Sequence, residues 1–497
     1  MSISTNPLKR LASQTAIYGL SSVIGRFLNY LLVPVLTYQF APAEYGVIAE
    51  FYAYMGFLAV VLTLGLETGY FRFRTAGHDD PQRVYATTVR VLLVINSGLF
   101  FAIWYWQQPI ADLLRHTQRP EYVVWAIAIV ALDAIGAAAF ARLRADNQAL
   151  RFAGIKLIEI GINIGLSLFF IVLCQQAFVN QSHSVFAQLW QPDVGIGYVF
   201  IVNLVASSVK LLLLAPQFKD GLHGIDYDLL RRMLRYSLPL VMIGLAGIVN
   251  EMLDRAALKY LLPFDDQTNL AQLGIYSACY KLSVLMTLFI QAFRYAGEPF
   301  FFAYAKASDA RQVYALVLNW FMIVCIFLFL LVTLYLNIFQ YFIGAAYRDG
   351  LSIVPILLAA NVLLGLSINL SIWYKLTDHT LLGATVALLG AVITIITLWI
   401  LIPRYGYQGA AWAHLLCYSV MVIVSYYLGQ HFYPVPYDLR RLFGYPIVGL
   451  MLYTTHQILT KTWLIIPQWV TSTLLLILFI AMVAWFDGRH LWRLQQR

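Results

Sequence analysis

Charge is scarce in this sequence. Lys, Arg, Asp and Glu make up 11% of 497 residues, while 61% are hydrophobic. A soluble globular domain carries about a quarter charged residues, and a disordered chain needs low hydrophobicity with many charges, so both classes are excluded. Cysteine is scarce too. Cys174, Cys279, Cys325 and Cys417 form no CxxC and no cluster with histidine, and each lies in or beside an apolar run, where a thiol acts as a small hydrophobe. Long polar segments are also missing. The longest, at about 175–193 and 216–235, are too short to fold alone. No P-loop, GxSxG or HExxH occurs. The pairs Asp79-Asp80 and Asp265-Asp266 read as solvated turns in short loops. No metal, cofactor or catalytic residue is therefore expected.

What is present is a series of apolar runs. A spanning helix needs ~20 apolar residues, and fourteen helices of ~23 would use roughly 320 residues. A barrel strand alternates over ~10 residues, which these runs do not do. Lys9 and Arg10 precede an apolar run from Leu11 to about Thr37, far longer than a signal-peptide core, so it reads as a permanent span. The expected spans are 11–37, 44–70, 86–107, 121–141, 153–174, 194–215, 236–262, 273–298, 313–336, 350–374, 380–402, 408–430, 442–460 and 466–486. Turn chemistry separates them at Ala41-Pro42, Asp79-Asp80-Pro81, Arg119-Pro120, Gln191-Pro192-Asp193 and Pro434-Val435-Pro436. Threading this layout with a cytoplasmic N-terminus places 23 Lys and Arg on the cytoplasmic side, Lys210 among them, against six outside, including Lys259. That asymmetry is the positive-inside pattern and puts both termini in the cytoplasm. It also explains the net charge of +9 without nucleic acid.

The sequence repeats. Arg26 matches Arg255 at an offset of 229, Tyr45-Gly46-Val47 matches Leu273-Gly274-Ile275 at 228, and Ala145-Asp146-Asn147 matches Thr377-Asp378-His379 at 232. Gly195 and Gly197 open one span as Gly406 and Gly409 open another. Each half has six spans, so the second copy enters from the same side as the first, as in parallel repeats related by an axis along the membrane normal. The expected division is a lobe at 1–215, a cytoplasmic connector at 216–235, a second lobe at 236–432, and two appended helices with a tail at 433–497.

A charge inside hydrocarbon costs ~2.5–3.5 kcal/mol or more and usually faces a bundle interior or a watery cavity. Thr15, Ser22, Arg26 and Asn29 form a polar stripe on the first span. Arg26 is either a cavity cation suited to a phosphate or diphosphate, because guanidinium is planar, forked and always charged, or the partner of a neighbouring acid. Glu251 and Arg255 lie four apart with Asp254 beside them, which is either a self-neutralising pair or a substrate site. Ser277, Lys281, Gln291, Arg294 and Glu298 share a face of the eighth span, with Lys281 a second cavity cation. Asp133, alone in an Ala-rich span, is a proton or sodium coupling site or the partner of Arg26. Glu159 is another coupling candidate or the partner of Lys156. Glu50, near the outer end of its span, is expected to reach water.

The run Gly19-Leu-Ser-Ser-Val-Ile-Gly-Arg26-Phe-Leu-Asn29, then Val33-Pro34-Val-Leu-Thr37 and Phe40-Ala-Pro-Ala-Glu-Tyr45-Gly46, resembles the opening of Wzx-type oligosaccharide-lipid flippases. These are polysaccharide exporters of the multidrug/oligosaccharidyl-lipid/polysaccharide superfamily. The resemblance implies an all-α membrane protein of about 14 transmembrane helices, two pseudo-symmetric six-helix bundles in a V plus two C-terminal helices. It implies alternating-access movement of an undecaprenyl-diphosphate-linked oligosaccharide from the cytoplasmic to the periplasmic leaflet of a bacterial inner membrane, without enzymatic activity. The expected partners are that lipid-linked oligosaccharide, the bilayer, a coupling H+ or Na+ and other polysaccharide-assembly proteins. Lipid II flippases carry a further Arg about one turn after the first-helix Arg; here Leu32 and Val33 stand in that region, which argues against a peptidoglycan precursor. The alternatives are a multidrug or cation antiporter of the same superfamily, disfavoured by the two extra helices and the Arg26, Arg255 and Lys281 set, and a polysaccharide polymerase or ligase, disfavoured by the short outer loops.

Overall fold

A computed structural model describes residues 23–77, 79–181, 183–221, 224–462 and 467–495. They are all-helical, with no strand among the described residues. Eleven helical runs are long and apolar enough to cross a membrane, or twelve if one bent pair counts as a single span. Of the fourteen expected spans, 11–37 lies only partly within the described residues. The segment 442–460 is helical but falls outside that set of runs.

The chain separates into two compact units, 1–277 with 398–407, and 278–397 with 408–497. In the first unit, helical residues 23–30 lead into α1 (Leu32–Gln39), α2 (Pro42–Leu62) and α3 (Leu66–Thr75). Then come α4 (Pro81–Tyr105), α5 (Glu121–Ala145), α6 (Ala149–Ser167), α7 (Gly197–Phe218), α8 (Tyr227–Leu261) and most of α9 (Asp266–Leu282). The second unit holds α10 (Val284–Tyr304), α11 (Ala310–Leu334), α12 (Val354–Leu370), most of α13 (Thr380–Tyr405), nearly all of α14 (Tyr407–Phe432), α15 (Leu439–Thr462) and α16 (Gln468–Gln495). In the first unit α5 packs against both α4 and α7, α7 against α6, and α8 against α2. In the second, α11 packs against α12 and α15, and α15 against α16.

The turn chemistry starts these helices as its physics requires. Pro42 and Pro81 occupy first-turn positions, where a missing N–H costs nothing. Asp80 caps α4 by accepting from the Gln82 amide at 3.1 Å, and Asp226 caps α8 by accepting from the Leu229 amide at 3.0 Å. The acidic pairs are thus not simply solvated turns. Asp79 meets Arg232 at 2.7 Å. Asp265 accepts from the Thr268 hydroxyl at 2.6 Å and the Thr268 amide at 3.1 Å, which holds its carboxyl below the usual carboxylate range.

Left-handed backbone turns recur in the segments compared above, with Asn147 one residue past the position matched to Asp378. Asn147 and Asp378, each following a helix of its half, adopt positive φ of 57° and 59°. Gly195 and Gly406 do the same at 47° and 60°. Gly46 and Gly274 meet each other's helices. A Cβ on Gly46 would run into the Leu270 carbonyl, and a Cβ on Gly274 into the Pro42 carbonyl. Pro42 and Leu270 are themselves 228 apart, as are the glycines. The crossing of α2 and α9 is therefore reciprocal about a local pseudo-twofold, and it is close because neither position has a side chain.

Candidate substrate and ion sites

Three groups of intramembrane charges in the first unit contain residues singled out in the sequence. Arg26 and Asn29 lie on the helical segment 23–30 and both are exposed. The neighbouring Gly25 faces Ile160 of α6, so this segment packs on α6. Arg26 makes no ion pair among the described residues. Thr15 and Ser22, the rest of its stripe, lie outside them.

The second group is a buried network on α5, α6 and α7. Lys210 Nζ lies 2.5 Å from Asp133 Oδ1 and 2.6 Å from Glu159 Oε1. Ser207 Oγ donates to Asp133 Oδ1 at 2.7 Å, and Lys156 reaches Glu159 Oε2 at 3.2 Å. The Lys210 side chain is 3% exposed, that of Glu159 16% and that of Asp133 45%. Two acids thus hold one enclosed ammonium, and the Asp133 carboxylate keeps an open side. The expectation that Lys210 belongs to a cytoplasmic loop is corrected: it sits within α7. Asp133 has Lys210 as its cation. Glu159 meets Lys156 as expected and Lys210 as well. The signal available in the sequence is the spacing of Asn203, Ser207 and Lys210, which places all three on one face of α7. Asn203 Nδ2 donates to the Tyr52 hydroxyl at 3.1 Å, extending that polar face to α2.

The third group surrounds Arg255. Its guanidinium donates to Asp254 Oδ1 at 3.0 Å and to the Glu251 backbone carbonyl at 2.8 Å. Tyr276 donates to Asp254 Oδ2 at 2.5 Å. Arg255 and Asp254 are both buried, while Glu251 is exposed. Arg255 is thereby engaged by a fixed acid, whereas its repeat counterpart Arg26 is exposed. Lys281 lies in the last turn of α9, within the second unit, just before the break that leads into α10. On α10, Glu298 is taken by Lys375 at 2.6 Å.

One cluster has no counterpart among the sequence expectations. Glu50 on α2, Lys259 on α8 and His116 in the connection before α5 meet in a closed space, with the Glu50 and Lys259 side chains fully buried. Hydropathy reads Glu50 as reaching water and Lys259 as a loop-edge cation, and the fold corrects both. The two are 209 residues apart in sequence, and nothing local in either helix pairs them.

At the ends of the helices, Arg74 meets Asp146 at 2.6 Å and Arg144 pairs with Glu67. Among the described residues no three His, Cys, Asp or Glu side chains come together as a metal site, and all four cysteines are buried and none is in a disulfide. In the second unit a cavity of about 340 Å³ opens between α15 and α16, lined by Arg440, Arg441, Tyr445, Phe479, Val483 and Phe486.

The chain thus combines membrane-length apolar helices with charges enclosed among them. The fold is similar to that of the lipid II flippase MurJ in an inward closed conformation, with TM-score 0.69, 12% identity, and coverage of 95% of this chain and 99% of that one. It is similar to an inward-facing multidrug resistance MATE family transporter (TM-score 0.61, 16% identity, 85% and 97% covered). It is also similar to an outward-facing multidrug resistance MATE family transporter (TM-score 0.56, 15% identity, 84% and 94% covered). At these identities the likeness shows the fold. Among curated proteins, none matches the sequence significantly. The profile of the polysaccharide biosynthesis protein family matches residues 11–305, more than half of the chain, and the chain belongs to that family.

Proposed function

We propose that this protein moves a polyprenyl-linked oligosaccharide, in the first instance one carried on undecaprenyl diphosphate, from the cytoplasmic to the periplasmic leaflet of a bacterial inner membrane, with both termini cytoplasmic. The observation that carries this reading is Arg26. A guanidinium in a span is costly, and this one is exposed with no acid paired to it among the described residues. An anionic substrate group supplies the missing partner, and a diphosphate matches the guanidinium fork. The working division is the two six-span lobes, 1–215 and 236–432, joined by the connector 216–235. Arg255 and Lys281 are the further candidate cations, the former with Asp254 fixing its orientation. Asp133, with one side open and Lys210 and Glu159 behind it, is the candidate for a coupling H+ or Na+. The apolar α15–α16 cavity with two arginines at one end suits a lipid tail near its headgroup.

The antiporter reading keeps one observation in its favour, the half-exposed Asp133 carboxylate, which a cationic drug could neutralise. The two readings separate on binding. Purified protein is titrated with undecaprenyl diphosphate and with a lipophilic cation, wild type against Arg26→Ala. The flippase reading expects diphosphate binding that Arg26→Ala weakens at least about tenfold, the equivalent of one lost charge-assisted contact. Binding of the cation alone, lost in Asp133→Asn, would overturn it.

A further inference from the structure

The buried cluster at Glu50 is unused by the transport reading, and its geometry is tightly shared. The three protons of Lys259 Nζ face the Glu50 carboxylate oxygens at 2.8 and 3.0 Å, the Leu114 carbonyl at 2.6 Å and His116 Nε2 at 2.9 Å. Tyr54 donates to Glu50 Oε1 at 2.6 Å. His116 Nε2 also lies 2.9 Å from Glu50 Oε2. One ring nitrogen therefore faces an ammonium and a carboxylate oxygen at the same distance. With Lys259 charged and His116 neutral with its proton on Nδ1, the single Nε2 lone pair accepts from Lys259 and the ring donates nothing to Glu50 Oε2. With protons on both Nδ1 and Nε2, the imidazolium donates from Nε2 to Glu50 but stands against the Lys259 ammonium. The enclosed trio is balanced only at a net charge of zero, one carboxylate and one ammonium with a neutral imidazole. One further proton leaves a net positive charge in a closed space, which low-dielectric surroundings penalise strongly.

The cluster also ties together the elements that cross at Gly46 and Gly274. Glu50 is one turn along α2 from Gly46. Asn269, a little over one turn before Gly274 on α9, donates its side-chain amide to the Lys259 carbonyl at 3.0 Å and to the Leu262 carbonyl at 3.1 Å. The other charged or titratable groups facing the trio are few. Tyr54 comes from α2 and Tyr260 from α8, with their hydroxyls 3.1 Å apart. Arg115, beside His116, is held by Asp266 at the start of α9, 2.7 Å away, and lies over the Tyr260 ring. Each adds to the closure of α2, the 114–121 connection, α8 and the start of α9.

We propose that Glu50, His116 and Lys259 form a proton-binding latch on the α2–α9 crossing, closed when the trio is neutral and released when it takes up one proton from the aqueous side on which Arg115 lies. In the step, a hydronium proton adds to His116 Nε2 or to Glu50, a new N–H or O–H bond forms, water is returned to solvent, and nothing else is transferred. The released state admits water around the extra charge and so binds the proton more tightly than the closed one. By linkage, acid favours release. The proposal rests on the transport reading for its purpose and on the assigned orientation for its side, but its test needs neither.

The test is amide hydrogen exchange on the full chain in lipid nanodiscs at pH 7.5 and 5.5. Rates are corrected for the intrinsic pH dependence of exchange. Wild type is expected to exchange about tenfold faster at pH 5.5 in residues 42–50, 111–120 and 262–274, the effect of one proton over one pH unit of coupling, with α11 and α12 unchanged. His116→Gln and the charge-free double variant Glu50→Gln with Lys259→Met are each expected to abolish this pH response; the double variant guards against misfolding, since it leaves no unpaired buried charge. A wild-type response absent from these segments, or one retained in both variants, overturns the proposal. A pH response that is present as described in a protein that flips no lipid would sink the transport reading and leave the latch standing.

Discussion

The network at Lys210 allows the sharpest test of how charge is carried within the bundle. Replacing Lys210 by Met keeps a long flexible side chain of similar volume and removes the ammonium that stands 2.5 Å from Asp133 and 2.6 Å from Glu159. Lys210 is 3% exposed, so water does not take its place readily. Removing one partner from a buried ion pair costs about 3–5 kcal/mol. Asp133, with its open side, should recover part of that cost by hydration or by taking a proton, so the expected loss lies at the lower end, about 3 kcal/mol. Lys156 screens Glu159 further at 3.2 Å. Asp133→Asn alone should cost less, about 1–2 kcal/mol, because Lys210 then keeps Glu159 and an amide oxygen as acceptors. The triple variant Lys210→Met, Asp133→Asn, Glu159→Gln should recover most of the loss, since removing all charges leaves nothing unpaired. Unfolding midpoints in one detergent, read as a mutant cycle, give the coupling. A Lys210→Met variant within about 1 kcal/mol of wild type, or a triple variant as unstable as the single one, would refute the enclosed-ammonium account.

Gly46→Ala or Gly274→Ala should each cost about 1–3 kcal/mol by overpacking against a carbonyl of the partner helix, seen as a lowered midpoint; Gly98→Ala, whose added methyl meets nothing within 4 Å, is the silent control. Arg115→Ala should leave the unfolding midpoint nearly unchanged, because both members of the Arg115–Asp266 pair are about half exposed and solvent screens them. The depressed Asp265 carboxyl favours the folded α9 start above the usual carboxylate pKa, and that contribution disappears as pH falls through its lowered value. Exchange at residues 265–269 should therefore rise in strong acid in wild type, and Asp265→Asn should remove this acid dependence.

The elements were legible because their signals are local. Apolar length gives the spans, and Pro42 and Asp80-Pro81 mark the starts of α2 and α4; the start of α8 at Tyr227 lies inside the segment expected to be a connector. Gly46 and Gly274 stand in matched surroundings in the sequence, and the fold brings those two residues against each other. What the sequence could not supply were partners. Lys210 and Lys259 each lie toward the end of an apolar run, where hydropathy reads a lysine as a loop-edge cation, because a long side chain there can reach water. Only the packing of α7 on α5 and α6, and of α8 on α2, turns them into enclosed ammonium groups. Arg255 shows the reverse limit. Helical spacing suggests the Glu251 side chain, but the guanidinium instead meets Asp254 and the Glu251 backbone carbonyl. The segment 442–460 was legible as a helix, yet its polar residues keep α15 outside the set of clearly apolar runs.

The central claim is that Arg26 receives the phosphate of a lipid-linked sugar during passage between leaflets. The direct measurement is leaflet exchange of a labelled undecaprenyl-diphosphate oligosaccharide in proteoliposomes, comparing wild type, Arg26→Lys and Arg26→Ala at matched, folded protein density. The account predicts transport by wild type, a partial rate for Arg26→Lys, which keeps the charge but loses the fork, and a rate at least about tenfold lower for Arg26→Ala. Arg26→Ala moving the lipid as fast as wild type would contradict it.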